Sequence, residues 1–260
     1  MTQTHPFSQT LEALAELAPE IRTSRVDPGP ALPSLAEVLA EFSPFPRDAT
    51  FLGLAADGLP VLLDLRNPLP GPLLIVGDAR CGKTRLLQTI ARAVDGIHQA
   101  QDVKYAVLTD RPDEWTSFET SPNCEEIVPL RAPRAAQFLS SVSDWAHVNK
   151  GGRQSILLLI DDLQACLSRP EVHEDFQWLL LRGPSRLAWP ITTLDAGGAL
   201  PIRPWLAAFR TRLFGFMEND AQARELANLE DASFSQLIPG AQFAMREGNT
   251  WLPFWIPRLD

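Results

Sequence analysis

The chain has 260 residues, 45% apolar and 21% charged, a balance that excludes a disordered or fibrous polymer and supplies a sizeable core. Its formal charge of −9 sets the surface as a whole against nucleic acid phosphates and anionic lipid, so any DNA contact has to be local. The longest purely aliphatic run, Ile156 to Ile160, is far short of a membrane span, and Cys81, Cys124 and Cys166 form no C-x-x-C pair, so a reducing cytoplasm is the expected setting.

Leu11, Leu14, Leu17 and Ala18 share one helical face ahead of Pro19, which predicts a short amphipathic helix. Past the Pro/Gly-rich segment from Asp27 to Pro30, Ser34 and Glu37 stand in capping-box spacing before Val38, Leu39 and Phe42. A second short helix is expected there, ended by Ser43 to Pro46. Residues 1–47 therefore read as a helical appendage with a Pro-rich linker, docked on the main domain in preference to a partner, and residues 48–260 as that domain. Phe51 to Ala55 and Val61 to Leu65 read as strands of a hairpin turning at Asp57-Gly58.

Pro72 to Val76 is a continuous apolar run between Gly71 and Gly77, the pattern of a strand buried on both faces of a parallel sheet. Tyr105 to Leu108, Ile156 to Ile160 and Ile191 to Leu194 repeat it. Helical patterns separate them over Arg85 to Val94, Arg134 to Val148 and Glu171 to Leu181. Strands alternating with helices predict an α/β fold, a mostly parallel doubly wound sheet flanked by helices. Arg212 to Phe216, Gln242 to Met245 and Thr250 to Phe254 are expected as closing strands, the last two joined through Glu247-Gly248-Asn249. Trp251, Phe254 and Trp255 then read as a hairpin packed on the core in preference to an exposed docking patch.

Gly77-Asp78-Ala79-Arg80-Cys81-Gly82-Lys83-Thr84 fits G-x-x-x-x-G-K-[ST] and is followed by Arg85 at the opening of a helical pattern. A strand, this loop and a helix N-terminus aim successive backbone N–H groups and the helix dipole at a phosphate. Residues 77–85 are accordingly the candidate nucleotide-binding segment, with Lys83 bridging phosphate oxygens and Thr84 ligating Mg²⁺. Asp161, at the tip of a neighbouring strand, is the expected partner of Thr84 at the metal. Asp162 is the candidate for polarising an attacking water, although it is one methylene shorter than a glutamate. The four histidines show no metal-ligand spacing.

From about Leu52 onward, the sequence resembles the FtsK/HerA branch of P-loop ATPases, including the FtsK-like domains of type VII secretion ATPases of the EccC kind. Gly58 to Leu65 followed by Gly71 to Gly77 is similar to that family's hairpin leading into Walker A. Thr109-Asp110-Arg111-Pro112 resembles its next strand and acidic turn, and Leu159 to Leu163 its Walker B segment. Arg182 to Arg186, Pro190 to Thr193 and Trp205 to Leu213 resemble its later parts. The resemblance implies ATP and Mg²⁺ as ligands, a homo-oligomer or other ATPase subunits as partners, and DNA or polypeptide as cargo. It also implies an arginine acting on the neighbouring subunit's phosphate, for which Arg186 is the first candidate and Arg182 the second.

The departures point the other way. Leu194-Asp195 stands where the family has a Thr-Gln pair, and Cys81 replaces a Gly or Ser. Two readings therefore stand side by side: an ATPase that moves DNA or polypeptide, and a degenerate module that binds ATP to stabilise an interface with little hydrolysis. A small-molecule kinase fits less well, for want of a lid-like arginine segment. Arg182, Arg186, Arg203, Arg210 and Arg212 against the single acidic Asp195 over residues 182–212 mark a local basic segment as a route to DNA. Cys81, near Lys83 and a helix N-terminus, is expected to lean toward thiolate.

Overall fold

The structure is a computed structural model and describes residues 32–260; the helix expected over Leu11 to Ala18 lies outside them. Pro33–Asp260 form one compact unit. The capping box is present: Ser34 Oγ accepts the Glu37 N–H at 3.2 Å and Glu37 Oε2 accepts the Ser34 N–H at 2.7 Å, opening the helix Leu35–Glu41. This helix lies within that compact unit. Leu35 and Val38 pack with Phe51 and Ala93. The chain end laces the helix down, since the Leu35 N–H donates to the Arg258 carbonyl at 2.8 Å and the Arg258 N–H to the Pro33 carbonyl at 3.0 Å.

The strands are β1 (Ala49–Ala55), β2 (Pro60–Asp64), β3 (Leu73–Gly77), β4 (Val103–Thr109), β5 (Cys124–Pro129), β6 (Ser155–Asp161), β7 (Ala188–Asp195), β8 (Thr211–Phe214), β9 (Gln242–Glu247) and β10 (Thr250–Trp255). They form one ten-stranded sheet in the order β2-β1-β10-β9-β8-β3-β7-β6-β4-β5. From β8 to β5 all neighbours are parallel, and the other strands extend the sheet antiparallel. The expected doubly wound α/β fold is thus the fold observed.

The alternation of side chains along a strand divides the core into two layers. Leu74 and Val76 of β3 and Leu158 and Ile160 of β6 face the helices Arg134–Val148 and His173–Arg182. Leu73, Ile75, Leu157 and Leu159 face the helix Lys83–Ile97, whose Leu86, Leu87, Ile90 and Val94 are buried. Burial on both faces is why these strands read as unbroken apolar runs. Phe254 of the closing hairpin is buried, and Trp251 meets Phe214 and Phe234 edge to face. The hairpin is packed on the core.

Candidate nucleotide-binding site

β3 ends at Gly77, and the loop that follows delivers the chain to Lys83, first residue of the helix Lys83–Ile97. Gly82 is the pivot at φ +99°, in the left-handed region that favours glycine. A Cβ there would also lie 2.8 Å from the Gly240 Cα. The contact has a purpose: the Gly240 N–H donates to the Cys81 carbonyl at 2.9 Å, so a loop from near the C-terminus buttresses the turn. At Gly77, a Cβ would meet Cys81 Sγ at 2.5 Å.

Residues 77–85 do not all face the same space. Ala79, Arg80, Gly82, Lys83, Thr84 and Arg85 line a cavity of about 550 Å³ at the C-terminal ends of the parallel strands. Gly77, Asp78 and Cys81 are not among its lining residues. Asp78 turns toward the chain's later part, its Oδ2 accepting the Glu218 N–H at 2.8 Å. Arg85 gives its guanidinium to the carbonyls of Gly240 at 2.9 Å and Pro257 at 3.1 Å. Its work is to clamp the C-terminal segment. Cys81 corrects an expectation: it is buried, and desolvation raises its thiol above the ordinary range despite the opposing charge of Lys83.

Asp161 ends β6, which is not hydrogen-bonded to β3; β7 runs between them. The intervening strand brings its own side chains. Thr193 and Asp195, two apart, share one face of β7, while Leu194 turns into the core. Thr193 Oγ1 donates to Asp161 Oδ1 at 3.0 Å and accepts the Asp162 N–H at 2.9 Å. Thr84 Oγ1 lies 3.1 and 3.0 Å from the two Asp161 oxygens. Asp195 Oδ1 lies 2.5 Å from Lys83 Nζ. Asp162, at φ +106°, caps the helix Leu163–Leu167 by accepting the Ala165 N–H at 3.0 Å. Burial is the main cause of its raised pKa, with Asp195 and Asp161 adding to it.

Arg111, from the Thr109–Pro112 turn, was not singled out by sequence. Its Nη2 lies 2.9 Å from Thr84 Oγ1 and 3.3 Å from Asp161 Oδ2, and Nη1 is held by Glu114 Oε1 at 2.8 Å. A hydroxyl and a carboxylate are suitable oxygen donors for Mg²⁺, and the Thr84–Asp161 pair fits it. The guanidinium stands on the same two oxygens and has to give way to a metal there.

The basic segment at residues 182–212 is not one patch. Arg212 turns inward to the carbonyls of Leu206, at 2.7 Å, and Leu226, and Arg203 pairs with Glu225 at 3.4 Å. Arg186 precedes β7, at the end of the strand opposite Asp195, and the strand alone spans roughly 23 Å at ~3.3 Å per residue. Neither Arg186 nor Arg182 lines the cavity.

No family model matches the chain. The ESX-3 secretion system protein EccC3 of Mycobacterium tuberculosis is 33% identical over 130 residues, 44% of this chain and 9% of that protein; the chain spans about a tenth of the length of this curated relative. The cytoplasmic domain of the Thermomonospora curvata type VII secretion ATPase EccC superposes with a TM-score of 0.68 at 18% identity, covering 88% of this chain and 32% of that one. ATPases 2 and 3 of EssC from Geobacillus thermodenitrificans give 0.64 at 14%, covering 90% and 48%. ATPases 2 and 3 of the T. curvata protein, in complex with a signal sequence peptide, give 0.68 at 16%, covering 88% and 44%. The fold is that of the FtsK-like P-loop ATPase domains. No helix among the described residues is long and apolar enough to cross a membrane.

Proposed function

With the fold of the FtsK-like P-loop ATPase domains as premise, we propose that the chain binds an adenine nucleotide and uses its occupancy to stabilise a contact with other subunits in an assembly, hydrolysing it slowly or not at all. The observation that carries this reading is the convergence of the Gly82 turn, Lys83, Thr84 and Asp161 on one cavity. Backbone N–H groups of the loop, with Lys83, would hold the phosphates. Thr84 and Asp161 would hold Mg²⁺, which supplies positive charge against the phosphate oxygens.

Slow turnover is supported by three side chains. The Asp162 carboxylate is engaged as a helix cap. Leu194-Asp195 stands where the family carries a polar Thr-Gln pair, and Leu194 is buried. Asp195 covers Lys83. The second reading, an ATPase motor, draws on the intact Lys83, Thr84 and Asp161; it would need Asp162 to leave its cap and Arg186 or Arg182 to act across a subunit interface. For either reading, the formal charge of −9 and the inward turn of Arg212 favour a polypeptide over DNA as the partner, in the cytoplasm.

The test is calorimetry of ADP and of a non-hydrolysable ATP analogue with Mg²⁺ on the wild type and Lys83→Ala, together with ATPase turnover at several protein concentrations with and without DNA. Binding by the wild type that Lys83→Ala loses, with negligible turnover throughout, is the expected result. Turnover rising with concentration and DNA would establish the motor. Absence of binding by folded wild type would end both readings.

A further inference from the structure

An ammonium group has three N–H bonds to give, and three oxygen acceptors surround Lys83 Nζ. Nζ lies 3.1 Å from the Gly77 carbonyl, 2.8 Å from the Asp78 carbonyl and 2.5 Å from Asp195 Oδ1. The first two acceptors belong to the loop and hold the ammonium at its rim. The third comes from 112 residues away in the chain and carries charge. Asp195 ends β7 directly opposite Gly77 in the parallel register, so the sheet fixes the point from which this carboxylate leaves the backbone. Its side chain is 60% exposed at the cavity mouth, whereas that of Lys83 is 10% exposed. The carboxylate therefore stands on the open side of the lysine, where a phosphate oxygen has to arrive.

A lysine in this loop reaches the β- and γ-phosphates, while the loop's backbone N–H groups cradle the α- and β-phosphates. With Asp195 on Nζ the cradle is untouched, and the lysine's outward bond is already made to an anion. A diphosphate can end in the cradle. A triphosphate has to bring one more phosphate against a carboxylate or drive that carboxylate off Lys83. The wider cavity does not offset this, because four basic and five acidic side chains line it and Arg85, one of the four, is committed to main-chain carbonyls.

We propose that Asp195 is a specificity-determining residue that makes this loop a nucleoside diphosphate site, its carboxylate standing on Lys83 in place of a third phosphate. The inference rests on the nucleotide-binding reading above and adds the number of phosphates that the site takes.

Titration calorimetry of the full chain at one fixed free Mg²⁺ concentration decides. The probes are ADP and the ATP analogue with a methylene-bridged terminal phosphate, applied to the wild type, Asp195→Asn and Asp195→Ala. Like-charge contact with the third phosphate should make the wild type bind ADP about tenfold or more tighter than the analogue. Both variants should bring that ratio to about threefold or less, chiefly by tightening the analogue, because only the analogue brings a third phosphate against residue 195. Equal wild-type affinities, or a ratio that survives both substitutions, overturns the proposal while leaving nucleotide binding intact. Absence of binding by either probe to wild type and variants alike removes the nucleotide reading and this inference with it. A thermal melt identifies any variant that has lost its fold, and the wild-type ratio stands as a test without variants.

Discussion

Arg111 reaches from the turn after β4 to place Nη2 3.3 Å from Asp161 Oδ2 and 2.9 Å from Thr84 Oγ1. The side chain of Asp161 is only 5% exposed, and a carboxylate so placed calls for compensating charge. Thr193 and Thr84 supply hydrogen bonds, and Arg111 supplies the charge. An arginine stays protonated at any pH the protein meets.

A divalent cation bound by Thr84 and Asp161 would compete with Arg111 for the same two oxygens. A divalent cation and a guanidinium about 4 Å apart repel by about 8 kcal/mol in a medium of intermediate dielectric. Arg111 is 58% exposed and can swing into water, so about 1 kcal/mol should survive as a penalty on the metal. Arg111→Ala is expected to lower the Mg²⁺ concentration giving half-maximal nucleotide binding by about fivefold. A Mg²⁺ titration at fixed nucleotide checks it; a variant that needs more metal than the wild type would show that Arg111 assists the site.

Thr193 joins the two aspartates, accepting from the main chain of Asp162 while donating to Asp161 Oδ1. It is buried, so removing its hydroxyl leaves an N–H and a carboxylate oxygen short of partners, away from water. Thr193→Val, of nearly the same shape, should cost about 1–3 kcal/mol in urea unfolding. Thr193→Ser keeps the hydroxyl and should stay within about 1 kcal/mol of wild type. Equal stability of the two variants would refute the role.

The parts of the site legible in the sequence are those whose chemistry is local. A strand-length apolar run, a glycine-bearing loop and a helical pattern are contiguous from Pro72 to Val94, so geometry follows from spacing. Ile156 to Asp161 reads equally well, because burial on both faces demands an unbroken run. What escaped is what the fold brings from a distance. Arg111 sits in a segment that reads as an acidic turn, and only the pairing of β4 with β6, Thr109 opposite Asp161, puts it beside Thr84. The Leu194-Asp195 departure is visible as a substitution, yet that Asp195 lands on Lys83 depends on β7 lying against β3. Arg85 belongs to the segment read as nucleotide-binding, and its bonds to the Gly240 and Pro257 carbonyls come from far along the chain. The helix at Leu35–Glu41 was legible as a helix, but its anchor was not, since that is Arg258 at the far end of the chain.

Gly82 and Gly240 meet backbone to backbone, and that contact can be tested apart from nucleotide chemistry. Gly82→Ala would put a Cβ at a φ of +99° and 2.8 Å from the Gly240 Cα. The left-handed conformation alone costs a non-glycine residue roughly 1–2 kcal/mol, and relieving the contact would move the loop that holds the Cys81 carbonyl and Arg85. A loss of about 2 kcal/mol or more in stability is expected, with nucleotide affinity lost alongside. At Gly240, itself at φ +78°, a Cβ meets nothing within 4 Å; Gly240→Ala should show the conformational cost alone. Equal losses in the two variants would mean that close approach contributes nothing.

The three cysteines give a prediction about pH. Burial pushes the Cys124 thiol up to about 11 and the Cys166 thiol to about 12, and it raises Cys81 against the pull of Lys83. A raised thiol pKa means less thiolate than free cysteine has at the same pH, and thiolate is the species that reacts. Near neutrality each thiol of the folded protein should therefore alkylate with iodoacetamide about tenfold or more slowly than in denaturant. The Cys81 rate should climb over a higher pH range than that of a free thiol. Mild peroxide should accordingly leave nucleotide affinity unchanged, in Cys81→Ser and wild type alike. Peptide mass spectrometry after brief labelling assigns the rates residue by residue; fast labelling at Cys81 would mean that the loop opens readily and that its burial does not protect it.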